Sequence, residues 1–354
     1  MIDLDSKYVD DKNLIVYVHI GKNPSQTLIH FSSLAKERLP RSRFVLITDN
    51  PKVWEEFDGE IVYYDVQKRN KTFSNFVKRN KELKIIANGY WLYTLERIFA
   101  LRELIERYPE EYSVIHFESD VLSFISPDIL RAMKSNFNGV FVPRFSMDRG
   151  IASLLYSSSI KELGAFLERA QALIDSDSKL VNDMNLLGRM LNTNQLGELP
   201  SGRDLNHLVI HSEMSVVFDG AAIGQYLLGQ DALHTNNRVV SGFQNPDFPE
   251  KLSTRYWEIQ NSKDFNFIVG KSPENKYFVA SMHVHSKQIV PRLSPENFFW
   301  KQVIKEANNE SPRNVGPLIE DKLHSSHLNL LTRIRVARKT GFLKVIFNRI
   351  KRLF

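Results

Sequence analysis

The sequence predicts an α/β protein built on a mixed sheet flanked by helices, with a C-terminal helical extension. Three observations carry this. An apolar run, Leu-Ile-Val-Tyr-Val-His-Ile at 14–20, is followed by the turn-forming Gly21-Lys-Asn-Pro24 and a helical stretch at 25–38. A second apolar run at 44–48 ends at Asp49-Asn-Pro51, and a third lies at 60–65. Residues 91–108 then place Leu92, Leu95, Ile98, Phe99, Leu101 and Leu104 near a 3.6-residue period, and Pro109 closes them before the apolar run at 114–117. Strands and helices alternating over short connections imply parallel strand pairs.

The remaining elements follow in order. The basic segment 68–84 reads as a loop and short helix, and Ser126-Pro127-Asp128 starts another helix. Residues 139–143 form a strand, and 151–156 fit an edge strand. Helices are expected at 160–174 and 181–191. From 207 to 287 the pattern is less regular, with short strands at 216–218, 265–268 and 277–284. The expected organisation is a catalytic domain over 1–290, a helix and polar linker over 291–327, and a basic amphipathic tail over 328–354.

Composition narrows the function classes. The 354 residues are 42% hydrophobic and 25% charged, as in an ordinary globular protein. The absence of cysteine excludes disulfides, thiolate metal sites and a cysteine nucleophile. The first 12 residues are acidic and polar where a secretory leader would be basic and then apolar, so a cytoplasmic location is expected. The net charge of +6 is concentrated in the last 24 residues, which hold eight Lys/Arg and no acid. The rest is near neutral, so a nucleic-acid-binding body is not indicated.

Chemistry concentrates in a few places. Glu118 and Asp120 close the apolar run at 114–117, where strand becomes loop. Hard cations such as Mn²⁺ and Mg²⁺ take carboxylate oxygens together with phosphate oxygens and water. In open α/β sheets ligands bind beyond the carboxyl ends of the strands. A Glu-Ser-Asp taken alone reads more readily as a solvated acidic loop. In Ser281-Met-His-Val-His-Ser-Lys287, His283 and His285 share one strand face, so either can reach a cation, and Lys287 can neutralise a diphosphate; strand histidines kept for packing are the plain alternative. Phe218-Asp-Gly-Ala-Ala-Ile-Gly-Gln-Tyr226 sets small residues beside Asp219 and Gln225, suited either to a sugar or to a tight helix–sheet contact. Asp183 lies on a helix that would ordinarily expose it. Tyr93, Thr94 and Arg97 share one helix, where Arg97 either forks onto a phosphate or pairs with a glutamate of the same helix.

This order of features resembles the GT-A class of nucleotide-sugar glycosyltransferases over about residues 14–290. The shared elements are the first strand and loop, a Tyr-Thr-x-x-Arg helix, a D-x-D-like pair, an Asn-Asp-Met acid and a late His-x-Lys. The segment at 218–227 further resembles bacterial surface-polysaccharide transferases. The resemblance implies a GT-A-like Rossmann-type sheet and an enzyme moving a sugar from a nucleotide-diphosphate donor to a glycan or lipid-linked acceptor with Mn²⁺ or Mg²⁺. It implies Asp120 and His285 as metal ligands, with Glu118 on the metal or the ribose, and Lys287 on the phosphates. His19, Gly21 and Asp49 would border the nucleotide, with Thr94, Arg97 and Gln225 in the donor site. Asp219 or, second, Asp183 would contact the sugar or act as base. Glu118 departs from the commoner Asp at the first position of the pair.

In the tail, Leu343, Ile346, Phe347, Ile350 and Phe354 recur at helical spacing, flanked by Lys344, Lys351 and Arg352. A helix of this kind suits the surface of an anionic membrane, with a body contact, a dimer contact or a nucleic-acid patch as the alternatives. Two rival functions share the same features. A sugar-phosphate nucleotidylyltransferase also uses such a sheet and Mg²⁺, but the Gly- and Lys-rich loop expected after its first strand is reduced here to Gly21-Lys22. A membrane-associated scaffold would keep the fold without turnover.

Overall fold

The computed structural model of the protein describes residues 12–68, 71–81, 90–176, 182–201, 208–210, 214–229, 252, 256–261, 266–271, 276–284, 304 and 308. In chain order these form β1 (Asn13–His19), α1 (Gln26–Arg38), β2 (Arg43–Thr48), β3 (Glu60–Tyr63), α2 (Lys71–Arg79), α3 (Tyr90–Ala100), β4 (Ser113–Phe117), β5 (Val121–Ser123) and α4 (Pro127–Asn136). There follow β6 (Val140–Ser146), β7 (Arg149–Gly150), β8 (Leu154–Ser157), α5 (Ile160–Ser176), α6 (Asp183–Asn192), β9 (Gly197–Leu199), β10 (Leu208–Ile210), β11 (Met214–Phe218), α7 (Ala222–Leu228), β12 (Tyr256–Asn261), β13 (Asn266–Lys271) and β14 (Lys276–His283). The expected α/β class is therefore what the chain adopts.

Among the described residues the strands make two sheets. The larger runs β3-β2-β1-β4-β8-β6-β7, with β9 on β6, and its β3-β2-β1-β4 half is parallel. The smaller runs β10-β11-β14-β13-β12, with β5 on β14. β1 shows why the larger sheet is buried on both faces. Leu14, Val16 and Val18 enter one apolar core, while Ile15 and Tyr17 enter the other. Strand alternation thus converts an unbroken apolar run into a wall between two layers.

Local signals fix the helix starts. Ser25 accepts the Leu28 N–H ahead of α1, Ser126 the Ile129 N–H ahead of α4, and Asn182 the Asn185 N–H ahead of α6. Helix α6 reaches the sheet through glycine. A Cβ at Gly188 would run into the Asp148 carbonyl, and one at Gly150 would lie 2.8 Å from Leu187 Cβ. This close approach over the β6–β7 hairpin sets the height of the α6 N-terminus.

Two expectations need correction. Residues 154–157 are not an edge strand: β8 lies between β4 and β6, antiparallel to both, because both its faces are apolar and buried. The long helix ends at Ala100 and tightens into a 3₁₀ turn over Leu101–Leu104 rather than continuing to residue 108. No helix of the described residues is long and apolar enough to cross a membrane. The chain divides into two units, Met1–Pro312 and Arg313–Phe354. The expected tail falls in the second, outside the described residues.

Candidate active site

The site forms where the two sheets meet. Strand β4 ends at Phe117, the chain turns through Glu118 and Asp120 with Val121 N donating to the Glu118 carbonyl at 3.2 Å, and β5 begins at once in the other sheet. There β5 pairs antiparallel with the end of β14, so that His283 stands opposite Val121, and Val284 N donates to the Asp120 carbonyl at 2.8 Å. This register brings an imidazole to the two carboxylates. His283 Nε2 lies 3.3 Å from Asp120 Oδ1 and 3.6 Å from Glu118 Oε2. The ligand atoms of Glu118, Asp120 and His283 all fall within 4.8 Å of one another.

Arg97, on α3, donates to Glu118 Oε1 at 2.5 Å, and both side chains are largely buried. It therefore pairs across to the strand end rather than with a glutamate of its own helix; Glu96 instead accepts from the Tyr64 hydroxyl. Glu118 retains Oε2 toward His283. Burial opposes the charged form of His283, but Asp120, then Glu118 and Asp219, outweigh it and raise the ring to about 9. A ring that attracts a proton this strongly sits in a field that also attracts a metal ion. Two carboxylates and one imidazole suit Mn²⁺ or Mg²⁺ better than a soft metal.

Asp183, at the start of α6, is buried rather than exposed, 3% accessible, and its Oδ1 has no hydrogen-bond partner among the described residues. Burial first, then Glu118, raises its carboxyl to about 6, against Arg97, the Thr94 hydroxyl and the Met184 N–H. Thr94 is buried beside it on α3, its single hydroxyl proton within reach of either Asp183 or the Trp91 carbonyl. Tyr90, one turn back, is 53% exposed, yet burial of its hydroxyl end and the Glu118 carboxylate hold its phenol well above the usual range. No sequence signal distinguished Tyr90 from the neighbouring Tyr93. His116, two residues before Glu118, shares its Nδ1 with the Val16 carbonyl; burial and Arg97 hold it down to about 3, a neutral packing residue.

A second group gathers after β1 and β2. Asp49 Oδ1 accepts from the Gly21 N–H at 2.8 Å, and Asn50 donates to the Lys22 carbonyl, so the two loops are laced together. His19 Nε2 lies 2.9 Å from the Asn23 carbonyl and its ring meets Trp54 edge-on at 4.9 Å. His19, Gly21 and Asp49 are thus one cluster at the carboxyl ends of adjacent parallel strands. Gln225 is buried in α7. Asp219 is also buried, and both its oxygens are taken by backbone N–H groups of Ile223, Gly224 and His283, an arrangement unlike that of a base awaiting a hydroxyl. His285 and Lys287 lie outside the described residues. The histidine found beside the carboxylates is His283, the other of the two that share a strand face.

No protein-family model matches the sequence, and no curated protein does. Solved structures give low similarities. The galactosyltransferase LgtC, solved with donor and acceptor sugar analogues, is 11% identical over 85% of this chain and 98% of that one, with a TM-score of 0.37. The PaToxG glycosyltransferase is 17% identical over 52% of this chain and 68% of that one, with a TM-score of 0.33. The glycosyltransferase GlyE of Streptococcus pneumoniae TIGR4 is 14% identical over 53% of this chain, with a TM-score of 0.33. This chain covers 45% of the GlyE chain.

Proposed function

We propose that the protein is a metal-dependent glycosyltransferase that moves a sugar from a nucleotide-diphosphate donor to a glycan or lipid-linked acceptor, in the synthesis of a bacterial surface polysaccharide. One observation carries the reading. Glu118, Asp120 and His283 converge at the carboxyl end of a parallel strand, and a buried carboxylate, Asp183, with one oxygen unpartnered among the described residues, shares the electrostatic field of Glu118 and Arg97. Glu118, Asp120 and His283 are suited to hold a divalent cation, which when bound supplies positive charge for a departing diphosphate.

The chain's own groups divide the remaining work. Arg97 neutralises Glu118 and fixes its direction. The cluster of His19, Gly21 and Asp49 fits the nucleoside end of a donor, since a ligand lying across adjacent parallel strand ends meets both loops. Thr94 and Gln225 are buried polar groups suited to donor hydroxyls. Asp183 takes the role at the transferred sugar, as base if the enzyme inverts. A carboxyl raised to about 6 is ionised at neutral pH and still basic enough to accept a proton. His285 and Lys287 keep the roles the resemblance implies, as a further ligand and a phosphate contact. The catalytic domain is assigned to 1–290, and the basic tail at 328–354 to an anionic membrane face in the cytoplasm.

Incubation of the full chain with Mn²⁺ and a panel of nucleotide sugars tests this. Release of nucleoside diphosphate from at least one donor, reduced at least 100-fold in Asp120→Ala, is expected. Absence of release and of binding across the panel rejects it.

A further inference from the structure

Asp219 sits in the loop between β11 and α7 and is 1% exposed. Oδ1 accepts from the Ile223 N–H at 2.9 Å, while Oδ2 accepts from the Gly224 N–H at 2.7 Å and from the His283 N–H at 3.1 Å. The first two donors belong to the first turn of α7. The third is 64 residues away on β14, at the residue whose ring faces Glu118 and Asp120.

The surrounding backbone strengthens this link. Asp219 N donates to the Ser281 carbonyl at 3.1 Å, and the Ser153 hydroxyl donates to the Asp219 carbonyl at 3.2 Å. The β11–β14 register shifts between Val217 and Phe218, immediately before Asp219. Ala221 holds a left-handed φ of 83°, which costs about 1 kcal/mol for a residue with a Cβ. Gly224 closes the contact from the other side: a Cβ there would strike the His283 carbonyl oxygen and lie 2.9 Å from Asp219 Oδ2. The end of β14 is thus held at His283 on its N–H and pressed on its C=O by one short segment.

We propose that Asp219 and Gly224 form a backbone bracket that sets His283 against Glu118 and Asp120, making Asp219 a positioning residue of the cation site. This rests on the reading of that site as a cation centre. A helix cap alone requires only the bonds to Ile223 and Gly224. The bond to His283 does nothing for α7 and fixes the one backbone position from which the ring reaches both carboxylates. Both Asp219 oxygens accept, and together they satisfy three N–H donors; an asparagine must turn its own NH₂ toward at least one of them.

Mn²⁺ affinity of the metal-free full chain, measured by calorimetry for wild type, Asp219→Asn, His283→Ala and the double variant, tests the bracket, with thermal melting as the control for folding. Asp219→Asn is expected to raise the dissociation constant at least tenfold while melting stays cooperative. The double variant is expected to bind no worse than His283→Ala, because Asp219 acts only through that residue. Gly224→Ala should follow the same pattern and replaces Asp219→Asn if the latter does not fold. An Asp219→Asn constant within twofold of wild type, or losses that multiply in the double variant, overturns the bracket and leaves the cation centre standing. If wild type itself binds neither Mn²⁺ nor Mg²⁺, the cation centre falls and the bracket with it.

Discussion

Asp183 has the most exposed consequences of any single residue. Its carboxyl is raised from an ordinary 3.8 to about 6, so the folded chain holds the proton more tightly than the unfolded one. The associated stability is complete below pH 3.8 and is lost as pH rises through 6. The difference between the two values corresponds to ~3 kcal/mol. Asp183→Asn in the metal-free protein should therefore raise stability at pH 7 by ~1–3 kcal/mol, measured by urea unfolding, with the difference vanishing below pH 4, while sugar transfer is lost. His283 behaves in the opposite functional sense. Its raised value, about 9, means that its protonated ring stabilises the metal-free fold fully below 6.5, and that this is lost as pH rises through 9. A cation needs the neutral ring, so binding releases a proton. Mn²⁺ affinity should rise about tenfold per pH unit between roughly 6.5 and 8.5. A calorimetric titration that finds it flat contradicts the ligand role of His283. The carboxylate pair was legible from an apolar run ending in two acids. The meeting of His283 with that pair was not, because alternation puts two histidines on one strand face and only the pairing with Val121 shows where His283 lies.

At the scale of elements, the site depends on two close approaches made by small residues. Helix α6 carries Asp183 and lies on the β6–β7 hairpin at Gly188, where a Cβ would meet the Asp148 backbone. Because that neighbour is main chain, Gly188→Ala should cost at least ~2 kcal/mol in urea unfolding, toward the upper end of overpacking effects. An unchanged unfolding midpoint would show that the α6 contact is looser. Helix α7 starts at Ala221 with its left-handed φ, and Ala221→Gly should relieve up to ~1 kcal/mol. The helices were legible because Ser25, Ser126 and Asn182 are capping residues placed just before apolar periodicity. The order of the strands was less so. β8 reads as a short apolar strand whether it is at an edge or inside, and its neighbours β4 and β6 are set by packing far along the chain. The small residues at 218–226 pointed to a tight contact or a sugar site. Asp219 takes the first of these.

For the whole molecule, the turn that carries the chain from β4 in one sheet to β5 in the other explains why so few residues generate the candidate site. The parallel half of the larger sheet supplies loop ends after β1, β2 and β4, and the smaller sheet supplies His283 by pairing with β5. A parallel sheet with loops at its carboxyl edge was foreseeable from the alternation of apolar runs and helices; the second sheet was not, because its strands are short and irregularly spaced. The tail carries its own prediction. The full chain should sediment with vesicles of phosphatidylglycerol and phosphatidylcholine at low salt, and reversal of Lys344, Lys351 and Arg352 to glutamate should weaken this at least tenfold, since each cation contributes ~1 kcal/mol. The central claim is that the carboxylates and His283 hold a cation that holds a nucleoside diphosphate. A thermal-shift titration of nucleoside diphosphates against the full chain, with Mn²⁺ and with chelator, tests it most directly, because a ligand bound to the native state raises the melting temperature. The account predicts a rise of several degrees for at least one nucleoside diphosphate only when Mn²⁺ is present, and none in Asp120→Ala. A rise of equal size in chelator, or one unaffected by Asp120→Ala, contradicts it.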